Sequence, residues 1–206
     1  RSHRGHRFFA VFVHEPSRKL ITKKFKRKSE LANAAIAALE FTQKQGSVVI
    51  VEFRSDYESI YKCSMLTDYL DANGIKFSPA TPCRHEQNGI AERVIQTLMR
   101  KMRAMLKQCG LSNHFWCYAL DCATEVYNRT LHNATKKIPD KEFHKREVDI
   151  DDLVVFGCIG LAHIDEEKRS SKHDITRGEL VRMLGYDENG RNGTYLVCNR
   201  QGKIFR

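Results

Sequence analysis

Two carboxylates in this 206-residue chain stand where phosphodiester chemistry would want them. Asp56 follows the apolar run Val48 to Phe53, and Glu92 opens a long helical pattern, with 35 residues between them. Hard divalent ions such as Mg²⁺ or Mn²⁺ take oxygen ligands. Two such ions held about 3.5–4 Å apart activate an attacking oxygen and stabilise a leaving one. A strand end and a helix start are rigid mounts for such ligands, and the carboxyl ends of strands are where open α/β sheets carry their functional groups. Taken alone the pair has little weight, because the chain holds 25 acidic residues. Its surroundings decide.

The elements that must position the pair can be read from periodicity. Phe8 to Val13 has strand length, Glu15-Pro16-Ser17 signals a turn, and Leu20 to Phe25 returns as a second strand. Ser29 is expected to cap a helix with Leu31, Ala35, Ala38 and Thr42 on one face, stopped at Gly46. Val48 to Phe53 reads as a central strand covered on both faces. A short helix from Ser64 to Asn73, a brief strand from Ile75 to Phe77 and a polar loop from Ser78 to Asn88 come next. Gly89 then opens a long helix with Ile90, Val94, Leu98 and Met102 along one side. Gly110 ends it, and Ser112 begins a helix carrying Trp116, Leu120, Ala123 and Tyr127. The polar stretch from His132 to Asp152 marks a boundary. Beyond it, short strands at Val154 to His163, Glu179 to Tyr186, Thr194 to Asn199 and Lys203 to Phe205 suggest a small β appendage. The expected division is therefore residues 1–132, a linker at 133–152, and 153–206. The order of elements is that of an α/β layer fold with helices against a mixed sheet.

The net charge is +10 and the isoelectric point is near 9.3. The basic residues come in blocks: Arg1, Arg4 and Arg7; seven between Arg18 and Lys28; five between Arg93 and Leu120, the last two blocks free of acids. Such blocks attract polyanions in a salt-dependent way. Gln96, Arg100 and Arg103 follow Glu92 by four, eight and eleven residues and share its side of the helix, so they are candidates for contacts to DNA phosphates, with Arg93 as their neighbour. Lys168, Arg169, Lys172 and Arg177 are further candidates in the appendage. Seven scattered cysteines, none in a CxxC pair, indicate neither a disulfide framework nor a cysteine-paired zinc site. No apolar run approaches the roughly 18 residues of a membrane span, so a soluble intracellular chain is expected.

Several motifs in order then resemble the integrases of copia-type (Pseudoviridae) LTR retrotransposons. Phe8-Phe9-Ala10-Val11-Phe12-Val13 with Ser17-Arg18 resembles the family's second strand and following turn. Arg54-Ser55-Asp56 resembles the segment bearing its second catalytic aspartate. Gln87-Asn88-Gly89-Ile90-Ala91-Glu92-Arg93 resembles the loop and helix start bearing its catalytic glutamate, at the family's own spacing. Val155-Phe156-Gly157-Cys158 and Leu184-Gly185-Tyr186 resemble its downstream SH3-like segment. The resemblance implies a ribonuclease H-like core followed by an SH3-like β appendage. It also implies Asp56 and Glu92 as catalytic and metal-binding residues, Mg²⁺ or Mn²⁺ as cofactor, and DNA (cDNA ends and target) as partner. Homo-oligomerisation and a location in cytoplasmic virus-like particles and the nucleus go with it.

The pattern also departs from the family. The first catalytic aspartate belongs to a strand ahead of Phe8 to Val13, which this chain is expected to lack. Tyr57, Glu58 and Ile60 stand where the family carries Asn-Gly and a glutamate. Cys83-Arg84-His85-Glu86 replaces a Tyr-Thr-Pro-Gln stretch, with His85 read as a loop residue rather than a ligand. A second reading is therefore a catalytically incomplete or domesticated DNA-binding or assembly module. A third, an RNA-cleaving ribonuclease H, shares the fold but not the block at 87–93.

Overall fold

A computed structural model describes residues 1–55, 63–79, 85–133, 135–164, 177–186 and 194–206, with the backbone alone at 85–88. The chain begins with a hairpin, β1 (Phe8–His14) antiparallel to β2 (Lys19–Phe25), Phe8 opposite Phe25 and His14 opposite Lys19. Its turn is closed by the His14 Nδ1 to Ser17 Oγ hydrogen bond of 2.7 Å and by Arg18 in the left-handed region at φ 63°.

The helix α1 (Leu31–Gly46) buries Ala32, Ala35, Ala38, Leu39 and Thr42. Ser29 does not cap it. That residue lies inside a 3-10 turn, Lys28–Glu30, and Glu30 occupies the N-cap without a side-chain bond. The 3-10 turn supplies the first carbonyls, so a hydroxyl cap has no vacancy to fill.

The third strand is shorter than its apolar run suggests. β3 covers Glu52–Ser55 and pairs in parallel with β4 (Lys76–Pro79), the two joined through α2 (Ser64–Ala72). Val49 and Val51 are 88% and 71% exposed. The expectation of a central strand covered on both faces fails here for a physical reason. Among the described residues β1 pairs only with β2, and β3 only with β4. The Val51 carbonyl accepts the Lys76 N–H at 2.9 Å, but among the described residues the run makes no ladder ahead of it, so its strand propensity goes unused there.

The long helix is α3 (His85–Cys109), which starts four residues ahead of Gly89. Val94, Leu98, Met102 and Leu106 form its buried side, and Gly110 at φ 66° ends it. Ser112 caps a 3-10 turn by accepting the His114 N–H, and α4 (Trp116–Arg129) follows. Within 133–152 the chain forms a short helix, α5 (Pro139–His144), with proline in its first turn. Four antiparallel strands complete the chain in the order β5 (Ile159–His163), β6 (Gly178–Tyr186), β7 (Tyr195–Asn199), β8 (Ile204–Phe205).

The main core joins β1, β2, α3 and α4 to the last sheet, placing Phe156, Leu184 and Cys198 in one cluster with Leu98, Leu120 and Ala123. A second cluster fills the space between α1, α2 and β3. Asn128 on α4 is 2% exposed and uses both ends of its carboxamide on β2. Leu20 N–H donates to its Oδ1 at 2.8 Å, and its Nδ2 donates to the Leu20 carbonyl at 2.9 Å. Asp140 of α5 forms a buried ion pair with Lys19 of the same strand.

Two outcomes follow for stability. Asn128→Ala leaves a buried backbone donor and acceptor unpaired, so urea unfolding should show a loss of about 2–4 kcal/mol; a change below about 0.5 kcal/mol would refute the clamp. The second concerns pH. His6, His14, His132 and His144 are all held below the ordinary imidazole value of 6.5, chiefly by burial and then, at each, by Lys or Arg neighbours. A base with a depressed pKa in the fold takes up more protons when unfolded. The contribution is therefore whole above pH 6.5 and is lost as pH falls below it. Thermal melts should be flat from pH 8 to 7 and decline from about pH 6.5 downward.

Candidate active site and basic helix face

The end of β3, the end of β1 and the start of α3 meet around one cavity of about 390 Å³. Val11, Val13 and His14 line it from β1, Val51 and Phe53 from the β3 side, and Ile90 with Ala91 from α3. Ala91 precedes Glu92, and Ser55, the last residue of β3, precedes Asp56. The cavity thus brings the mounts of both sequence-predicted carboxylates to one place. Asp56 itself lies outside the described residues, as do Tyr57, Glu58, Ile60, Cys83, Arg84, Lys168, Arg169 and Lys172.

Glu92 is exposed near the start of α3. Glu15, at the end of β1, and Glu52, on β3, stand at the mouth, and Arg54 bridges them. Its Nη1 lies 3.5 Å from Glu15 Oε1, and its Nε donates to Glu52 Oε1 at 3.1 Å. Hydrogen bonds from Arg54 and then Ser78 hold the Glu52 carboxyl down to about 2. Sequence reasoning did not single out this Arg54 bridge; the alternation of acid and base in Glu52-Phe53-Arg54 was the available signal.

Hard divalent ions such as Mg²⁺ or Mn²⁺ would call for an oxygen-only donor set. Among the described residues, however, no three His, Cys, Asp or Glu side chains come together as a metal-holding group.

The DNA candidates can be placed on the helix. At 100° per residue, Glu92, Gln96, Arg100 and Arg103 fall on one stripe about 80° wide, with Arg93 at its border. All five are exposed, and Val94 and Leu98 are buried away from the stripe. Lys107, not among the sequence candidates, continues the stripe by one more turn and is also exposed. Lys101 falls on a different side, half-buried with its ammonium 6.0 Å from the Tyr127 ring, and burial lowers its pKa. Arg177 is exposed just before β6. Trp116 and Phe115 pack against the main core, as helix packing predicts. No helix among the described residues is long and apolar enough to cross a membrane. The six described cysteines are free thiols.

The arrangement is similar in fold to solved integrase catalytic cores. The catalytic core of HTLV-2 integrase, solved in complex with magnesium, superimposes with a TM-score of 0.51 at 18% identity, covering 65% of this chain and 82% of that one. An intasome of simian T-cell lymphotropic virus in complex with a PP2A regulatory subunit gives 0.55 at 15% identity, covering 91% of this chain and 65% of that one. In sequence, the chain is similar to the Pol polyproteins of LTR retrotransposons. It is 28% identical over 171 residues to the retrovirus-related Pol polyprotein from transposon TNT 1-94 of Nicotiana tabacum, covering 82% of this chain. It is 28% identical over 132 residues to a Ty1 Gag-Pol polyprotein of Saccharomyces cerevisiae, covering 64%. The chain spans 13% and 8% of the length of these two relatives. No protein-family model matches the sequence.

Because Glu92 is exposed on the helix stripe, Glu92→Gln should leave unfolding free energy within about 0.5 kcal/mol of the parent. A larger change in a urea titration would mean that Glu92 holds the fold rather than the site.

Proposed function

We propose that this chain is an integrase region of an LTR retrotransposon that handles DNA for integration, with 3′-end processing and strand transfer as the chemistry of the intact protein. The observation that carries this reading is the shared cavity, into which the end of β3 and the second turn of α3 both lead. Asp56 and Glu92 would hold the divalent ion, Mg²⁺ or Mn²⁺, whose positive charge would stabilise the oxygens that exchange at phosphorus. The protein's part is to fix carboxylate oxygens on rigid elements and to lay the substrate backbone along Arg93, Gln96, Arg100 and Arg103. DNA and further copies of the chain are the proposed partners. The neighbour solved as a trimer and the one solved as an intasome support both. The four strands β5 to β8 fit an SH3-like unit at 153–206, joined through 133–152 to the core at 1–132.

A specific observation favours a second reading for the chain as it stands. β1 and β3 belong to separate ladders, so a strand carrying a third carboxylate has no place filled between them among the described residues. In that reading the chain binds and assembles on DNA without cutting it.

Two measurements test the proposal. In a strand-transfer assay with Mg²⁺ or Mn²⁺, the 206-residue chain alone should give no joined product. A version extended upstream by a strand bearing an aspartate should give product that disappears on Glu92→Gln. Product from the chain alone that is lost on Glu92→Gln would move the third carboxylate to Glu15. In a binding assay, affinity for duplex DNA should fall steeply between low and moderate salt, and Arg100→Glu with Arg103→Glu should weaken it. Unchanged affinity in that variant would remove the α3 stripe as the DNA surface.

A further inference from the structure

Two basic segments that are separate in sequence meet at the open end of the β1–β2 hairpin. Arg7 N–H donates to the Phe25 carbonyl at 3.0 Å. A side chain added at Gly5 would meet the Lys26 Cε at 3.5 Å. The Lys28 ammonium lies 5.9 Å from the centre of the Phe8 ring. Arg1, Arg4, Arg7, Lys26, Arg27 and Lys28 are thereby gathered on one surface, and all six are exposed.

What distinguishes this cluster is a large excess of positive charge, with Glu30 as an acid beside it. None of the six forms an ion pair among the described residues. Asp121 is taken by the neighbouring Lys24, and Glu30 accepts the Lys26 backbone N–H. The cations of the α5 region behave differently: Lys137 and Lys145 share Glu142, and Lys141 pairs with Glu147. Like charges held together cost self-repulsion unless a polyanion relieves it.

The cluster also carries ring surfaces and is fixed in place. The exposed His3 ring stacks on Phe115 at 5.7 Å, and the Arg4 guanidinium lies 4.8 Å over Tyr118 while its Nε donates to the hydroxyl. His3 N–H donates to the His114 carbonyl at 2.7 Å, which docks the segment beside the link between α3 and α4. From Glu92 to Cys109 the helix rises about 25 Å at 1.5 Å per residue. That is about seven phosphate steps of one B-form strand at 3.4 Å each.

We propose that this end of the hairpin is a second phosphate-backbone site, which grips the far part of a DNA duplex whose near part lies on the α3 stripe. The proposal rests on the reading of the chain as a DNA-handling protein and adds to it a place and a minimum length. A duplex must exceed about seven base pairs to run along the whole stripe from Glu92 and reach the hairpin end.

The test compares the full chain with Lys26→Glu, Arg27→Glu, Lys28→Glu together, using fluorescence anisotropy across a salt series. On a duplex of about 20 base pairs, the slope of log affinity against log salt should fall by about 3, one for each phosphate contact removed. On a duplex of about 6 base pairs it should change by less than about 1. A charge-matched control, Lys137→Glu with Lys141→Glu and Lys145→Glu, should leave the long-duplex slope nearly as it was. Replacing the same three hairpin residues by Gln, with circular dichroism to confirm the fold, gives the answer if the reversal variant is unstable. An unchanged slope on the long duplex overturns the inference. If Arg100→Glu with Arg103→Glu still weakens binding there, the general reading survives that failure; if neither variant matters, both fall. Equal loss on short and long duplexes overturns the extended track, and a loss seen on duplex RNA but not DNA overturns the assignment to DNA.

Discussion

The side-chain amide of Asn128 does for β2 what a neighbouring strand would otherwise do. An edge strand presents peptide groups that must find partners, and at Leu20 both are taken by one buried carboxamide. The bond pins α4 to the hairpin. Through the apolar cluster it fixes the seat of α3 and of the last sheet, since Leu98, Leu120, Phe156 and Leu184 share that core. Lys19, one residue earlier on β2, draws α5 into the same assembly through Asp140. The helix that carries Glu92 and the arginines is thus located by contacts along its opposite side.

Most of the architecture was legible in the sequence because local signals agreed with the global ones. Phe8 to Val13, Gly110 and the four-residue spacing of Val94, Leu98 and Met102 each mark an element that formed, although the long helix starts four residues ahead of Gly89. The run Val48 to Val51 was misleading because strand character is a statement about neighbours: the ladder reaches back to the Val51 carbonyl, and Val49 and Val51 stay exposed. Ser29 has the right chemistry for a cap, yet a 3-10 turn overrode it. The α5 helix was hidden because its six residues are too few for a period to show, and its inward residues, Pro139, Asp140 and Phe143, are of three different kinds. That Glu92 and the basic residues share one exposed side of α3 could be read from helical geometry alone. The Arg54 bridge between Glu15 and Glu52 could not, because it joins elements 39 residues apart.

The chain's positive charge is unevenly used. Around α5 and at the end of α4, lysines and arginines are matched to acids, as Arg129 is to Glu125 and Asp152. There the ion pairs hold secondary elements together. On the α3 stripe and at the hairpin's open end the same residue types stand exposed without ion pairs among the described residues. Pairing therefore separates charges that organise the fold from charges left available to a ligand, which net charge alone does not show.

Gly157 packs against the last residue of α3 so closely that any Cβ there would collide with the Cβ and Sγ of Cys109. Arg182 reinforces the junction by donating to the Cys109 carbonyl at 3.0 Å and to that of Gly157. The far end of the helix is therefore fixed in rotation as well as in position. Each residue added or removed between Glu92 and Cys109 would turn one end against the other by about 100°. The helix behaves like a keyed shaft. Its length is constrained to whole turns, because otherwise Glu92 would swing round the helix axis while the last sheet stayed where it is.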